Sequence, residues 1–304
     1  MRTILCIFFN LFFLWGYTQD FCVTYSSGKT LCFDITSSKT VKIAKSKTVI
    51  RYIEGYGPDL FGDYRYVKTP VYGYVFEGSL VIPATVTDKG DTYTVTEVDY
   101  LNGTNLTSVK IPKTVTHISD RAFAGSHKLT TVVLPESIES IGPGAFSNCS
   151  MLSSIVLPHS VKLIYSKTFE NCSNLQNITL PDSLEEIGSF AFENCSNLQK
   201  ITLPSSLKKI GSYAFKDCVY LREIEIPEGV EELENHVFEG CKRLRTIKLP
   251  KSIKMMGYVD YGRRHVNLFV DCQSLEKIII PIGTMEYFKE LLIWPKYADM
   301  LVEE

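Results

Sequence analysis

Cysteine recurs every 23 residues from Cys149 to Cys241 and once more at Cys272, and this series is the first place to look for chemistry. Thiolates bind zinc and form disulfides, but both require side chains that converge. The sequence has no Cys-x-x-Cys pair and no histidine in phase with the series. On neighbouring parallel strands these cysteines would be about 4.8 Å apart, farther than the roughly 3.8 Å between β-carbons that a disulfide prefers. We therefore expect no metal and no cofactor, and predict buried free thiols at Cys149, Cys172, Cys195, Cys218, Cys241 and Cys272.

The histidines do not form a recognisable catalytic set. They fall at different phases of the chain, at His117, His127, His159, His236 and His265, whereas a site needs some of them to converge. The chain also lacks His-Glu-x-x-His, Gly-x-Ser-x-Gly and a phosphate-binding glycine loop. Its 32 basic and 34 acidic residues include no basic cluster, which argues against nucleic acid as a partner. The sequence predicts that the protein is not an enzyme.

A 23-residue repeat must position these residues. Proline recurs at this interval from Pro112 to Pro250, and phenylalanine recurs in step from Phe123 to Phe238. A period of this length indicates a solenoid. Its coils are too small to bury their own apolar faces, so neighbouring coils stack into one continuous core.

The residue types predict how one coil is built. In the run 198–203, Ile201 and Leu203 alternate with polar residues, as in a half-buried strand. Pro204 ends the strand because it has no amide hydrogen. The run Ser212–Cys218 is long enough for one helical turn. We predict a β-rich solenoid with one curved parallel sheet of about nine short strands, joined by short helical turns.

The repeat also carries a family resemblance. The pattern LPxSLxxIGxxAFxxCxxLxxIxLP, from Leu180 to Pro204, resembles the BspA-like leucine-rich repeat family, which consists of secreted or surface proteins best known from Bacteroides-type bacteria. The resemblance extends from about Gly78 to Pro281. It implies a leucine-rich-repeat solenoid and an extracellular binding role, and it implies no chemistry.

Four segments are predicted along the chain. Residues 1–18 have the positive start and short apolar run of a secretory signal peptide. The alternative, a membrane anchor, is weaker because the run is short for a bilayer span. Residues 19–78 are predicted to form an N-terminal β-rich cap, and residues 79–281 the repeat array. Residues 282–304 are predicted to form a helical cap with Thr284 as N-cap. We expect a monomer that is secreted or held at the cell surface, with no membrane span in the mature chain.

The N-terminal cap contains two further candidate features. Cys22 and Cys32 bracket a short turn, which predicts a disulfide in an exported chain. The run 52–76 is rich in tyrosine, including Tyr64 and Tyr66. Tyrosine offers an apolar face and a polar tip, so this run either binds sugars or proteins or packs the cap against the first coil.

Two other candidate sites lie within the array. The coil after Pro250 is eight residues longer than the others, and an insertion of this kind forms a loop on one face. It contributes Tyr258, Tyr261, Arg263, Arg264 and His265, residue types that are frequent in binding hot spots. Outward positions of the sheet supply the second candidate, with charges at Lys200, Glu223, Glu225 and Lys248.

These observations predict a binding scaffold that mediates protein–protein interaction or adhesion. The expected partner is an extracellular protein of a host or a neighbouring cell. The alternative is glycan binding through the tyrosine-rich segment. The triplets at Asn148, Asn171 and Asn194 match the glycosylation pattern, but a bend that uses asparagine side chains explains them equally well.

Overall fold

A computed structural model describes residues 21–24, 30–37, 40–43, 49–58, 64–72, 76–88, 91–99, 101–257, 259–260, 264–265, 268–291 and 295–304. The predicted signal peptide lies outside these residues. In chain order the first strands are β1 (Phe21–Thr24), β2 (Thr30–Ser37), β3 (Thr40–Ile43), β4 (Val49–Pro58), β5 (Tyr64–Tyr72), β6 (Glu77–Val81), β7 (Thr85–Asp88) and β8 (Asp91–Val98).

The array then continues in short strands. They are β9 (Asn105–Lys110), β10 (His117–Ile118), β11 (Thr131–Val133), β12 (Ser140–Ile141), β13 (Ser154–Val156), β14 (Leu163–Ile164), β15 (Asn177–Thr179), β16 (Glu186–Ile187), β17 (Lys209–Ile210), β18 (Glu223–Glu225), β19 (Glu232–Leu233), β20 (Thr246–Lys248) and β21 (Met255–Met256). The remaining elements are β22 (Val259–Asp260), β23 (Arg264–His265), β24 (Lys277–Ile280), α1 (Met285–Leu291), α2 (Pro295–Ala298) and β25 (Leu301–Glu303).

The coils stack as a parallel-strand solenoid, which confirms the predicted fold class. Equivalent residues of successive coils pair directly, as Ser154 does with Asn177 and Lys209 with Glu232. However, the strands line two sides of the solenoid where the sequence predicted one sheet. We name β6, β9, β11, β13, β15, β18, β20, β24 and β25 the front sheet, and β8, β10, β12, β14, β16, β17, β19 and β21 the back sheet. Each is divided into two hydrogen-bonded parts, the front sheet between β15 and β18 and the back sheet between β12 and β14. Most back-sheet strands have two residues, too few for an alternation that a sequence pattern reveals.

Stacked phenylalanine rings fill the interior between the sheets. One ring from each coil, starting at Phe123 and ending at Phe269, is almost fully buried. Successive ring centroids are 5.3–6.1 Å apart and the ring planes are within 10° of parallel. The 23-residue period therefore builds a continuous aromatic ladder, whose burial helps to stabilise each coil.

The segment between the two sheets is a series of turns, which corrects the predicted helical turn at Ser212–Cys218. Its local backbone hydrogen bonds span three residues, as from Cys218 N to Phe215 O at 3.2 Å, and alternate amides donate to the next coil, as from Phe215 N to Val237 O at 2.9 Å. Tyr213 within it has a φ of 60°. A left-handed residue ends any right-handed helix, so a helix cannot propagate through this position.

The front sheet is interrupted at one coil. The sequence predicted a strand within residues 198–203, but residues 200–204 are not in a strand, and the front sheet divides between β15 and β18. None of the five amides of residues 199–203 donates to a backbone carbonyl in the described part of the chain, although Gln199 O accepts from Arg222 N at 3.3 Å. Ile201 and Leu203 remain buried. The coil therefore keeps its core contacts but lacks the ladder.

Segments at both ends extend the sheets. At the N-terminal end, β2 is antiparallel to both β1 and β3, and β3 pairs in parallel with β8 of the back sheet. At the C-terminal end, β25 adds to the front sheet beside β24. Helix α1 begins after Thr284, whose carbonyl accepts from Phe288 N at 3.0 Å. The Glu303 carboxylate, and not the Thr284 side chain, accepts from the first amides. Among the described residues, no helix is both long and apolar enough to cross a bilayer.

Candidate functional site

The outward side chains of the front sheet form two rows that differ between its halves. The first half carries small or β-branched residues, among them Val81, Val133 and Val156, which are more than half exposed. The second half carries charges on β18 and β20. Alternation along each strand produces this arrangement, since the buried Ile224 and Ile247 point to the core and their neighbours point outward.

The charged residues surround a groove of about 590 Å³ at the interruption of the front sheet. All four sheet residues that the sequence singled out line it: Lys200, Glu223, Glu225 and Lys248. Ile201, Ile224 and Leu203 also contribute to its lining. The structure therefore brings these four side chains together in one concavity, at the coil whose amides lack backbone partners. The sequence identified these four residues because they occupy outward positions of the strand pattern. No feature of the sequence predicts the groove that they line.

Two ion pairs organise the groove. Lys200 Nζ is 3.1 Å from Glu223 Oε1, and Lys248 Nζ is 2.9 Å from Glu225 Oε1. The hydrogen bond and charge of Glu225 raise the pKa of Lys248 above its usual value. All four side chains are between 52% and 70% exposed. Pairs this accessible contribute little to stability, so they are free to exchange their partners for those of a bound protein.

The insertion after Gly257 is a two-stranded hairpin. Val259 pairs with His265, and Asp260 with Arg264, in the antiparallel pair β22–β23. Tyr258, Tyr261 and Arg263 lie outside the described residues, and only the backbone of Arg264 and His265 is described. The hairpin follows β21 of the back sheet. None of the described groove-lining residues comes from it.

Five of the six array cysteines are buried thiols, whereas Cys272 is only half-buried. Cys149, the first of them, donates to the carbonyl of Phe123 in the preceding coil at 3.2 Å, and the later cysteines repeat this bond. Burial raises the pKa of Cys149 to about 12, and raises those of the next four well above their usual value. Ser126 takes the same position in the first coil and donates to Leu101 O at 3.2 Å. Within the described residues, no group of three or more His, Cys, Asp or Glu could hold a metal ion.

Cys32 is the exception among the described cysteines, because it is disulfide-bonded. Strand β1 is antiparallel to β2, and their register places Cys22 directly opposite Cys32. This register fits the predicted pairing of the two residues.

An external stack of rings was missed by the sequence analysis. Phe190, Tyr213 and His236 come from successive coils, with ring centroids 4.8 Å apart. All three have φ between 56° and 60°. Positive φ is uncommon for such bulky residues, and stacking offsets part of its cost. Their 23-residue spacing is visible in the sequence, but nothing there shows their backbone conformation.

The asparagines of the glycosylation-like triplets form a second ladder. Asn171 Nδ2 donates to Asn148 Oδ1 at 3.0 Å, and Asn194 Nδ2 donates to Asn171 Oδ1 at 2.8 Å. Each has φ near 60°, a conformation that asparagine tolerates. The amides are therefore engaged with each other at the bend.

Comparisons with known proteins agree with this architecture. The family model for the BspA type leucine-rich repeat region matches residues 94–218 and 162–291, in six copies. Together these ranges cover about two-thirds of the chain. The comparison with curated proteins finds no match.

Several solved structures are similar to the chain. A leucine-rich cell surface protein from Faecalibacterium prausnitzii is 21% identical, with 94% of this chain and 95% of that chain covered and a TM-score of 0.48. The T. pallidum leucine-rich repeat protein is 28% identical, with 81% and 96% covered and a TM-score of 0.47. A leucine-rich repeat protein from Bacteroides ovatus is 20% identical, with 90% and 98% covered and a TM-score of 0.27.

Proposed function

This chain belongs to the BspA type leucine-rich repeat family, and from that premise we propose that it is an exported binding scaffold whose front-sheet groove holds an extracellular protein. The observation that carries the proposal is the groove itself, where four outward charges meet over the coil at which the front sheet is interrupted. Solenoids commonly bind through extended surfaces of this kind.

The groove offers a protein partner a concavity with charged walls. Its volume of about 590 Å³ is large enough to receive side chains of that partner. Glu223 and Glu225 project from one strand, with Lys200 and Lys248 on the coils to either side. A partner complementary to this pattern presents basic groups over β18, flanked by acidic ones. Such complementarity sets specificity and association rate more than affinity.

The interrupted ladder leaves backbone donors open to a partner in the same place. Amides of residues 199–203 have no backbone acceptor in the described chain, and a partner's carbonyl or carboxylate oxygens supply acceptors.

The protein acts outside the cell under this proposal, either secreted or held at the surface, as a monomer. Two observations support export: the signal-peptide pattern of residues 1–18 and the description of a similar structure as a cell surface protein. The partner is then a protein of a host or a neighbouring cell, and the role is interaction or adhesion without catalysis.

The test is a pull-down with the chain from residue 19 onward against extracellular proteins of host and neighbouring cells, followed by affinity measurement on each captured protein. Glu223→Lys with Glu225→Lys reverses the charge of β18 and should weaken binding at least about tenfold. Lys110→Glu is the matched control, because it reverses an exposed charge on β9, in the first half of the same sheet and away from the groove lining. If a captured protein binds the Glu223→Lys, Glu225→Lys double variant as tightly as it binds the Lys110→Glu control, the groove is not its site.

Glycan binding is the second candidate, and the hairpin β4–β5 favours it. Its register pairs Tyr56 with Tyr66 and Pro58 with Tyr64, so these three tyrosines occupy same-face positions by the alternation of a strand. Tyrosine-bearing surfaces can stack on sugar rings. A glycan array separates the two candidates: binding confined to glycans, and lost in Tyr64→Ala with Tyr66→Ala, would favour this hairpin over the groove.

A further inference from the structure

We propose that a cavity beside Gly144, on the turn segments between the two sheets, binds the carboxylate of an acidic side chain from the protein partner. This inference deepens the proposed function and rests on it for the partner's class. The cavity is lined by residues separate from those of the front-sheet groove, so it is a second contact point.

The cavity exists because one coil carries glycine in a column of long side chains. The column is Arg121, Gly144, Lys167, Phe190, Tyr213 and His236, one residue from each coil, all with φ between 54° and 62°. Three later coils fill this position with rings that stack on one another. Gly144 has no side chain to occupy this position, so a cavity of about 490 Å³ remains between the side chains of the flanking coils.

Arg121 supplies an uncompensated positive charge at this opening. Its aliphatic stem lies over Gly144, since a β-carbon added there would be 3.3 Å from Arg121 Cγ. Lys167 on the other side is bonded to Glu170 at 3.0 Å. Among the described residues, Arg121 is exposed and has no carboxylate within 4 Å. The lining therefore carries a net charge of about +1, which attracts an anion.

Ser147 provides a second, buried group for the same ligand. It is 8% exposed, and its hydroxyl oxygen accepts from Asn148 Nδ2 at 2.8 Å. No acceptor for its hydroxyl hydrogen is found in the described chain. A carboxylate has two acceptor oxygens, one suited to the planar fork of a guanidinium and the other to this hydroxyl.

The lining favours a carboxylate on a protein over other anions. One uncompensated cation matches a single negative charge, whereas a phosphate carries up to two. None of the lining residues is aromatic, so the cavity has no platform on which a sugar ring could stack. Arginine at a pocket is a frequent anchor of protein interfaces. These features select an aspartate or glutamate side chain.

The test is an NMR titration of the assigned backbone amides with N-acetyl-glutamate N-methylamide. The neutral isostere N-acetyl-glutamine N-methylamide is titrated in parallel, and glucuronate provides the sugar-acid arm. We expect shifts confined to amides around Gly144 and Ser147, saturating at millimolar concentration with the glutamate probe alone. Equal shifts from the neutral isostere, or shifts from glucuronate only, would overturn the proposal.

Three variants make the result specific. Arg121→Gln removes the charge and should weaken binding of the glutamate probe at least about tenfold. Gly144→Tyr should abolish it by filling the cavity, and Tyr213 already holds a ring at the same φ within 1°. Lys128→Gln, an exposed cation of the neighbouring turn, is the control and should bind unchanged. Unchanged affinity in both cavity variants would refute the site. That outcome leaves the groove standing, because the charge-reversal test on β18 uses different residues.

Discussion

Truncation of one core ring measures how much a single coil depends on the aromatic ladder. Phe192 is fully buried and lies between Phe169 and Phe215, with centroid distances of 5.5 and 5.4 Å. Replacing a buried phenylalanine by alanine costs about 3–5 kcal/mol through lost transfer energy and the cavity. Each aromatic pair adds roughly 0.5–1.5 kcal/mol beyond burial. The loss of unfolding free energy in Phe192→Ala should therefore lie in the upper half of this range, at about 4–5 kcal/mol.

Phe190→Ala is a matched control, because it removes the same kind of ring from the outside of the same coil. Its contacts are one ring, that of Tyr213 at 4.8 Å, and the Lys167 ammonium at 5.1 Å. These interactions are worth about 1–2 kcal/mol together. Free energies of unfolding from urea titrations should separate Phe192→Ala from Phe190→Ala by at least about 2 kcal/mol. Equal losses would refute the assignment of inner and outer positions.

Three further predictions concern the thiols, the inserted hairpin and the N-terminal disulfide. Because burial raises the pKa of Cys149 from 9.0 to about 12, the folded chain keeps its proton where the unfolded chain loses it. This thiol therefore adds no pH dependence to stability below pH 9, and between pH 9 and 12 it should lower stability by up to about 1.4 kcal/mol per pH unit. The other four buried thiols act in the same direction, so urea titrations that compare the wild type with Cys149→Ser measure its share, and a flat wild-type profile would contradict burial. Deleting residues 259–266 restores the 23-residue period and should leave the melting temperature nearly unchanged, whereas a partner that uses the hairpin should bind more weakly. Unchanged affinity would mean that the hairpin is only a tolerated insertion. Finally, reduction should raise the intact mass by about two hydrogens, because it breaks one Cys22–Cys32 bond. An unchanged mass would mean that the predicted pairing is wrong.

The column of left-handed residues from Arg121 to His236 shows what a repeat pattern leaves undetermined when the backbone conformation is unknown. Phe190 and Tyr213 are visibly in phase in the sequence, and so is Gly144. The left-handed conformation shared by all of them follows from how the chain turns between its two sheets. That geometry turns a glycine into a cavity and leaves Arg121 exposed beside it, and neither follows from residue types alone.

The sequence by itself determined the solenoid, its period and its buried ladder, because every coil must repeat the same apolar positions to bury them against its neighbours. It also determined the outward phase of Lys200, Glu223, Glu225 and Lys248. Only the tertiary structure decided that the front sheet opens at residues 199–203. That coil has the same pattern as the coils beside it, so its pattern predicts the same strand. Ladder hydrogen bonds depend on the spacing and register between two neighbouring coils, and spacing is a property of their packing that no single repeat encodes.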